Sequence, residues 1–396
     1  MVNKRSIQGV DVSGKTVLVR VDFNVPTRNG IISDDSRIRA ALPTLNLLKK
    51  GGAKVVICSH FGRPKGEVVE DMRLGIVGER LSELLGTKVA NAGGPNGDRP
   101  AIVINNLGPG DFAMLENMRF ESGEEANDDE FSKHLASLAD IYVNDAFGAA
   151  HRAHASTTGV TAYIPAYAGL LMIRELEMLG RSSEGSTGAT IAIIGGAKVA
   201  DKIKVLRHLS AKVDTILVGG GMVAAFYVAQ GRSGGAADVS EKDQSAAMEL
   251  LESSGANVVL PADVIITPEF DENSPASICE STEVPLDSFI LDIGPRSATE
   301  YARIIGIADT IIWNGPMGVF EWTEFAKGSV AVANAVADNK KSTSVIGGGS
   351  TAEIVGSLGL VNKITHVSTG GGASLEFLEG KILPGVAAIP DARYFY

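Results

Sequence analysis

The sequence predicts an α/β protein built from two doubly wound, Rossmann-like parallel-sheet lobes that an interdomain helix joins. Short β-branched runs alternate with helix-compatible stretches along the whole chain, which is the pattern of parallel βαβ units. With 396 residues, 44% of them apolar and 21% charged, the chain is also too long for one ordinary core, so two domains are expected.

Several apolar runs are predicted to be strands, and most of them end in glycine or polar residues. They are Val17–Val21, Lys54–Ser59, Phe112–Leu115, Ile141–Val143, Thr190–Ile194, Thr215–Val218, Val258–Leu260, Thr310–Trp313, Ser344–Ile346 and Thr365–Ser368. Strands of a parallel sheet are buried on both faces, so ligand chemistry is left to the loops at their carboxyl ends. A helix predicted over Tyr167–Leu179 is apolar on more than one face, and we expect it to be buried between the lobes. The polar stretch Arg181–Gly188 then marks the entry to the second lobe.

The net charge of −11 argues against a nucleic-acid-binding surface and against a polybasic membrane anchor. No run approaches the roughly 20 apolar residues that a bilayer-spanning helix needs, and the first residues lack the apolar core of a signal peptide, so we expect a cytoplasmic protein. Cys58 and Cys279 are far apart and have no CxxC spacing, which supports neither a disulfide framework nor a cysteine metal site.

Basic residues follow the predicted strands of the first half. Guanidinium groups bind carboxylate and phosphate with paired hydrogen bonds, so the pattern predicts a pocket for a small, multiply charged anion, although each arginine alone is equally consistent with a surface ion pair. The candidates are Arg37, His60, Arg63, Arg119, His151, Arg152 and His154. Asp22 and Asn24 end the first strand and are suited to binding substrate hydroxyl groups, while the alternative for Asp22 is to cap a loop. The two histidines at 151 and 154 lack a third ligand at suitable spacing, so no protein metal site is predicted.

One literal motif match has the wrong context. Gly9–Thr16 fits the P-loop pattern, but a P-loop lies between a preceding strand and a following helix, whereas here a predicted strand follows. We therefore favour a turn before the strand over a phosphate-binding loop at this position.

In the second half, Gly195–Lys202 follows a strand and opens a helix. Glycine lets phosphates approach backbone N–H groups, and Lys198 and Lys202 are predicted to lie on one helical face; the alternative is a tight turn followed by solvated lysines. Other glycine runs at strand ends predict a wide nucleotide cleft, in which Glu321 accepts from a ribose hydroxyl. They are Gly219–Gly221, Gly347–Thr351 and Gly370–Ser374, beside Trp313–Glu321. None matches GxGxxG, which disfavours an NAD-dependent dehydrogenase.

The segments that carry these residues resemble the phosphoglycerate kinase family, in family order across nearly the whole chain. They are Arg20–Pro26, Ser59–Gly66, Leu115–Gly123, Asn144–His154, Gly195–Lys202, Leu291–Pro295, Trp313–Trp322, Gly347–Thr351 and Ser368–Pro384. The resemblance implies reversible phosphoryl transfer between 1,3-bisphosphoglycerate and ADP, giving 3-phosphoglycerate and ATP, in glycolysis or gluconeogenesis. It also implies a phosphoglycerate-binding lobe over 1–166, an interdomain helix over 167–181, a nucleotide-binding lobe over 182–374 and a segment over 375–396 that returns to the first lobe. A monomer is expected.

By the same resemblance, each lobe has its own binding residues. Those for the phosphoglycerate are Asp22, Phe23, Asn24, Arg37, His60, Phe61, Gly62, Arg63, Arg119 and Arg152. Those for the nucleotide are Lys202, Gly219, Gly220, Gly221, Glu321, Gly348, Gly349, Ser350 and Thr351. Two positions depart from the family pattern: Ser350 replaces the usual Asp that reaches toward magnesium, and Ile290 replaces a glycine beside the adenine pocket. We therefore expect Mg²⁺ to arrive with ATP or ADP and to be held mainly by the nucleotide phosphates.

Phosphoryl transfer needs in-line placement and stabilisation of charge on the equatorial oxygens, and it needs no protein nucleophile. We expect Arg37 and Lys202 to be the principal charge stabilisers, with Lys198 assisting. Backbone N–H groups near Gly371 and Gly372 are expected to point at the moving phosphoryl group. Because the substrates bind different lobes, hinge closure is expected before transfer. A two-lobed solute-binding protein would share such closure without catalysis, but it normally carries an export signal.

Overall fold

The computed structural model describes residues 3–183 and 188–392, without the side chains of 181–183. The described chain divides into two compact units: residues 3–177 with 382–392 form the first unit, and residues 178–381 form the second. The predicted polar stretch Arg181–Gly188 lies largely outside the described residues. Residues 393–396, the end of the predicted returning segment, lie wholly outside them. None of the described helices combines the length and the apolar composition needed to cross a membrane.

Strands and helices are interspersed along the whole described chain. The strands are β1 (Thr16–Arg20), β2 (Thr27–Arg28), β3 (Ile31–Ile32), β4 (Lys54–Cys58), β5 (Val89–Gly93), β6 (Phe112–Leu115), β7 (Ile141–Asn144), β8 (Ala166–Ala168), β9 (Thr190–Ile194), β10 (Thr215–Val218), β11 (Asn257–Val259), β12 (Asp263–Thr267), β13 (Ser277–Glu280), β14 (Phe289–Ile293), β15 (Thr310–Asn314), β16 (Thr343–Gly347) and β17 (His366–Val367). The helices are α1 (Ser36–Lys50), α2 (Gly75–Leu85), α3 (Asp98–Asn105), α4 (Ser122–Glu125), α5 (Asp129–Ala136), α6 (Leu170–Ser183), α7 (Val199–Ser210), α8 (Val223–Ala229), α9 (Glu241–Ser253), α10 (Pro295–Gly306), α11 (Lys327–Asp338), α12 (Gly349–Ser357), α13 (Gly372–Leu378) and α14 (Pro384–Ala387).

The first unit is built on a six-stranded parallel sheet in the order β5-β6-β4-β1-β7-β8. Its interior strands are buried on both faces. In β1, Val17 and Val19 pack into one apolar cluster, and Leu18 packs into a second cluster on the opposite face. Such a strand has no solvated face for polar side chains, which explains its unbroken apolar sequence.

The second unit contains another six-stranded parallel sheet, in the order β11-β10-β9-β15-β16-β17. The predicted fold class, α/β with two doubly wound parallel sheets, is confirmed. In each sheet the strand order reverses beside the first strand: β1 lies between β4 and β7, and β9 lies between β10 and β15. Loops diverge at such switch points and leave a crevice at the carboxyl ends of the strands.

Several features differ from the sequence predictions, among them the short antiparallel pair β2-β3, which was not predicted. A small antiparallel sheet, β13-β12-β14, was not predicted. The short strands β5 and β8 of the first sheet were also missed. The predicted helix start at Tyr167 is wrong, because Tyr167 pairs with Val143 as part of β8 and the helix α6 begins at Leu170. By contrast, the prediction that a strand follows the segment that matches the P-loop pattern is confirmed, because β1 begins at Thr16.

The start of α6 is fixed by a buried carboxylate. The Oδ1 of Asp145 accepts from the backbone N–H groups of Leu171 at 2.9 Å and Met172 at 3.2 Å. A carboxylate on the first-turn N–H groups satisfies donors that have no partner within the helix. Burial nevertheless raises the pKa of Asp145 to about 6, although the neighbouring Thr44 hydroxyl and the two backbone N–H groups act in the opposite direction.

We predict that Gly169→Ala destabilises the first unit. A Cβ at this position would lie 2.1 Å from the Oδ1 of Asp145, and the carboxylate cannot retreat without losing its bonds to α6. We expect the free energy of unfolding to fall by roughly 1–3 kcal/mol, measured by urea denaturation. The matched control is Gly75→Ala at the start of α2, where a Cβ meets nothing within 4 Å and a change below about 1 kcal/mol is expected. Equal unfolding free energies for the two variants would contradict this packing.

Candidate functional site

The strand-end loops of the first sheet bring together several of the predicted anion-binding residues. Arg37 donates from Nη1 to the Oδ2 of Asp22 at 3.3 Å and to the backbone oxygen of Asn24 at 2.9 Å. The Asn24 side chain in turn accepts from the N–H of Gly62 at 2.9 Å. Arg119 donates to the backbone oxygen of Gly62 at 2.7 Å. Residues from the loops after β1, β4 and β6 and from helix α1 therefore form one hydrogen-bonded cluster, which we call the basic cluster.

The pKa of His60 indicates that Arg20 and Arg152 lie close to the basic cluster. Burial lowers the pKa of His60 well below its usual value, and the positive charges of Arg20, Arg152 and Arg37 lower that pKa further, as does His154. These cations act on one buried imidazole, so they share one positive region. That arrangement favours binding of a multiply charged anion.

The predicted phosphoglycerate-binding residues differ in how accessible their side chains are. Arg63 is exposed, whereas Arg119 is only 2% exposed and its Nε lies 3.1 Å from a Glu125 carboxylate oxygen. The side chains of Phe23 and Phe61 lie in the apolar core. Their backbone N–H groups are bonded to Ser59 and Asn117, so these two residues shape the loops rather than offer their side chains to a ligand.

Lys202 lies at the switch point of the second sheet. Its ammonium group donates to the Oδ1 of Asn314 at 2.6 Å and to the backbone oxygen of the same residue at 3.1 Å. Asn314 ends β15, and Lys202 lies in the first turns of α7, which follows β9. Burial lowers the pKa of Lys202 to about 8, because both partners are neutral and do not compensate the charge. An anion bound here would supply that compensation.

Lys198 does not lie on the helical face predicted for it. It is the exposed N-cap residue of α7, with extended backbone angles of φ −133° and ψ 139°. The helix begins one residue later, at Val199. The expected pairing of Lys198 with Lys202 on one face is therefore wrong, and Lys198 is a solvated cation at the amino end of the helix.

Two glycines are required for contacts between loops: Gly220 from the predicted nucleotide-binding set, and Gly315 from the segment Trp313–Glu321 beside it. Gly220 has a φ of +72°, and a Cβ on it would lie 2.7 Å from the backbone nitrogen of Gly196. A Cβ on Gly315 would lie 2.1 Å from the backbone oxygen of Gly195. The loops after β9, β10 and β15 thus pack backbone against backbone. Neighbouring hydrogen bonds, such as Gly220 N–H to the Met317 oxygen at 2.8 Å, hold them together.

The first turn of α12 is open by comparison. A Cβ on Gly349 meets nothing within 4 Å, and the next residue, Ser350, is exposed. Gly348, the N-cap residue of α12, precedes them with a φ of +91°. Thr351 is buried, and its hydroxyl accepts from the N–H of Gly315 at 2.7 Å, so it joins α12 to the loop after β15. The start of α13 is equally open, since a Cβ on Gly371 or Gly372 would meet nothing within 4 Å.

The donor set fits a magnesium ion that arrives on a nucleotide. The first turn of α12 contains no acidic residue, and Glu321 is exposed on the loop after β15. Among the described residues, no group of three His, Cys, Asp or Glu side chains is placed to hold a metal ion. Magnesium commonly keeps several waters and takes substrate phosphates as ligands, and the hydroxyl of Ser350 is the side chain available in this turn.

The second position that departs from the family pattern, Ile290, lies in an irregular strand. Ile290 is half-buried in β14, where the pairing with β12 shifts register between Ile265 and Ile266. A separate cavity of about 740 Å³ lies between this small sheet and helices α10 and α11, with Ile278, Ile293 and Ala298 among its walls. It contains none of the predicted site residues.

Sequence reasoning missed one buried cation. Arg20, 1% exposed, is the last residue of β1 and donates to the side chains of Ser156 and His60. Its signal in the sequence was a charged residue at the end of an otherwise apolar strand. Glu124 and Ser156, which are fully buried beside it, carried no signal of their own.

Comparisons with known proteins agree with the resemblance seen in the sequence. A family model described as phosphoglycerate kinase matches residues 7–381. The solved structure of phosphoglycerate kinase from Coxiella burnetii is 39% identical, with 97% of this chain and 98% of that chain covered and a TM-score of 0.88. The phosphoglycerate kinase from Pyrococcus horikoshii OT3 is 34% identical, with the same coverage and a TM-score of 0.84.

We predict that Lys202 titrates near pH 8 in the free protein, because burial lowers its pKa to about 8. The measurement is an NMR titration of lysines labelled at the ε-carbon, with the Lys202 signal assigned by its loss in Lys202→Met. In urea the same signal should titrate near the usual lysine value of about 10.4. Because the folded-state pKa is the lower one, ionised Lys202 costs stability below pH 8, and this cost disappears as the pH rises from about 8 to about 10.4. A folded-state titration above pH 10 would rule out the buried position.

Proposed function

This chain belongs to the phosphoglycerate kinase family, and from that premise we propose how its own residues carry out the reaction. The enzyme is a phosphotransferase that acts on the carboxyl group of 3-phosphoglycerate, with ATP and ADP as the nucleotide pair. Neither the family model nor the solved structures favour the dehydrogenase alternative. The observation that carries the proposal is that each sheet has cations at its strand ends: Arg37 lies in the basic cluster of the first sheet, and the partly buried Lys202, whose partners are neutral, lies at the switch point of the second.

We propose that the basic cluster binds the phosphoglycerate. Its phosphate is bound by His60, Arg63, Arg119 and Arg152, and the loops containing Phe23, Phe61 and Gly62 shape the pocket. Asp22 and Asn24 bind the hydroxyl and the adjacent carboxyl oxygens. Arg37, whose Nη1 already bridges Asp22 and Asn24, is then held beside the reacting carboxyl group. The support for these roles is the hydrogen-bonded continuity of the cluster and the positive field at His60.

The nucleotide is proposed to bind at the switch point of the second sheet. Lys202 contacts the phosphates, and the N–H groups of Gly349 and Ser350 at the start of α12 donate to phosphate oxygens. Glu321 accepts from the ribose. Gly220 and Thr351 join the loops of the site through the contacts described above, and Gly219, Gly221 and Gly348 lie in the same loops and leave room for the nucleotide. Magnesium enters as MgATP or MgADP.

Transfer is proposed to be direct and in line. Arg37 and Lys202 stabilise the charge on the equatorial oxygens, with Lys198 assisting from its exposed position and the N–H groups near Gly371 and Gly372 completing the arrangement. The transfer needs hinge closure, in which the phosphoglycerate lobe, 1–166, and the nucleotide lobe, 182–374, come together through the connecting helix and the segment 375–396. We further propose that the enzyme works as a cytoplasmic monomer and binds no nucleic acid.

A coupled assay with 3-phosphoglycerate and MgATP tests the role of Arg37. We predict that Arg37→Ala lowers kcat by roughly 10²–10³-fold, because it removes a charge that stabilises the transition state. The KM for MgATP should change by less than about threefold. The matched control is Arg39→Ala on the same helix, whose guanidinium binds Asp35 and is exposed; it should keep nearly full activity. Equal losses of kcat and of nucleotide affinity in Arg37→Ala would contradict the assignment.

The same assay tests Lys202. We predict a loss of kcat of at least about 10²-fold in Lys202→Met, whereas Lys204→Met, an exposed position on the same helix, should stay close to the unmodified enzyme. An active Lys202→Met protein would remove Lys202 from the reaction and leave only a binding or structural role.

Closure is tested by small-angle X-ray scattering. The radius of gyration is expected to decrease when 3-phosphoglycerate and MgADP are both saturating, and to change less with either ligand alone, because each ligand occupies a different lobe. An unchanged radius with both ligands bound, verified by calorimetry under the same conditions, would exclude the proposed closure.

A further inference from the structure

A buried polar chain leads from Glu124 to His60. The Ser156 hydroxyl donates to the Oε1 of Glu124 at 2.6 Å and accepts from the Nε of Arg20 at 2.8 Å. Arg20 then reaches the Nδ1 of His60 with its Nη2, at 3.1 Å. Glu124 and Ser156 are fully buried, Arg20 is 1% exposed and His60 is 5% exposed. Glu124 and Ser156 themselves belong to no predicted binding set, so the chain extends beyond the basic cluster.

The chemistry of the donors fixes the direction of every hydrogen bond in this chain. A guanidinium group has only donors, so the Nδ1 of His60 must be the nitrogen that accepts. The carboxylate of Glu124 accepts from both the hydroxyl and the backbone N–H of Ser156. The single hydroxyl hydrogen of Ser156 is thereby used, and its oxygen is left to accept from Arg20. A neutral His60 in this arrangement carries its proton on Nε2.

The surrounding charges keep His60 neutral. Burial lowers the pKa of His60 well below its usual value, and Arg20, Arg152, Arg37 and His154 lower it further. The carboxylate of Asp22 lies near the ring, with its Oδ1 3.9 Å from Nδ1. Because Nδ1 accepts from Arg20, it has no proton to share with that carboxylate, and the two do not form an ion pair.

Glu124 provides the negative charge that keeps Arg20 in place. Burial alone would raise the pKa of Glu124, but the neighbouring His154, whose Nδ1 lies 3.7 Å from the Oε1, the charge of Arg20 and the two hydrogen bonds from Ser156 hold that pKa below its usual value. The buried guanidinium is therefore paired through Ser156 with an ionised carboxylate, as a buried charge requires. Without that partner, Arg20 would be drawn toward any anion in the basic cluster.

We propose that Glu124 and Ser156, acting through Arg20, are positioning residues that hold His60 as the Nε2–H tautomer, so that it offers a neutral N–H donor to the bound phosphoglycerate. Within residues 3–183 and 188–392, no hydrogen bond engages the Nε2 of His60, which leaves this donor for a ligand. A neutral donor needs no counter-charge in a pocket that already contains several arginines. The substrate part of this inference rests on the proposed function.

The tautomer is read directly from the intact protein by NMR. With ¹⁵N-labelled histidine and the His60 signals assigned through His60→Gln, long-range ¹H–¹⁵N correlation distinguishes a pyridine-type nitrogen from a pyrrole-type one. We expect a pyridine-type Nδ1 and a pyrrole-type Nε2 that persist from pH 6 to pH 8. An imidazolium, or an Nδ1–H tautomer, in the unmodified protein at pH 7 would overturn the proposal without any need for variants.

Two serine variants test whether the chain sets this state. Ser156→Ala removes the link between Glu124 and Arg20, and we expect a mixture of tautomers together with a roughly tenfold rise in the KM for 3-phosphoglycerate at nearly unchanged KM for MgATP. Ser132→Ala is the matched control, because Ser132 is also fully buried in the first unit but donates only to the Asp128 backbone oxygen. It should leave the His60 signals and both KM values unchanged. Ser156→Thr keeps the hydroxyl and should restore the Nε2–H signal.

The outcomes separate this proposal from the proposed function. If Ser156→Ala behaves like Ser132→Ala in tautomer and in KM, the positioning role is overturned. Should Ser156→Ala not fold, Glu124→Gln, which keeps the shape and removes the charge, takes its place with the same expected loss of tautomer control. If the free protein has the Nε2–H tautomer but 3-phosphoglycerate leaves the His60 signals unmoved, the donor role is overturned. Turnover of 3-phosphoglycerate with MgATP, measured alongside, reports on the proposed function independently.

Discussion

The burial of both parallel sheets on both faces is the constraint on which the rest of the molecule depends. All five residues of β15 are buried, and so are the last four of β1, so a solvated polar group has no place within these stretches. Charged and polar residues are therefore displaced to the carboxyl ends of the strands. In both units the candidate binding residues follow the last residue of a strand or begin the next helix, and the switch points concentrate them.

Displacement to a strand end does not remove the cost of burying a charge. Lys202 is surrounded by neutral acceptors from Asn314, and its lowered pKa is the measure of that cost. Arg20 is balanced by Glu124 through a single serine hydroxyl. In both places the protein positions a cation before any ligand is present, and at Lys202 an incoming phosphate would supply the counter-charge that the neutral Asn314 does not. Such pre-positioned charge contributes to catalysis because it need not reorganise in the transition state.

Much of the fold follows from the sequence, because buried parallel strands produce continuous apolar runs such as Thr190–Ile194, which β9 reproduces residue for residue. The antiparallel sheet escaped prediction because β13, Ser277–Glu280, is mostly exposed and carries no such run. Tyr167 was assigned to a helix because its apolar character fits a helical face, whereas pairing with β7 decides its conformation. The hydrogen-bonded chain from Glu124 to His60 could not be predicted from the sequence, because its members Arg20 and Ser156 are 136 positions apart and only the fold brings them together. The roles of the binding residues remain predictions.

Each sheet, in our proposal, holds its own ligand at its strand ends. A crystal structure of the intact enzyme with 3-phosphoglycerate and MgADP tests this most directly. We expect density for the phosphoglycerate against His60, Arg119 and Arg152, and density for the nucleotide phosphates against Lys202 and the first turn of α12. Both ligands bound to the loops of a single sheet, or either one bound away from the strand ends, would contradict the proposal.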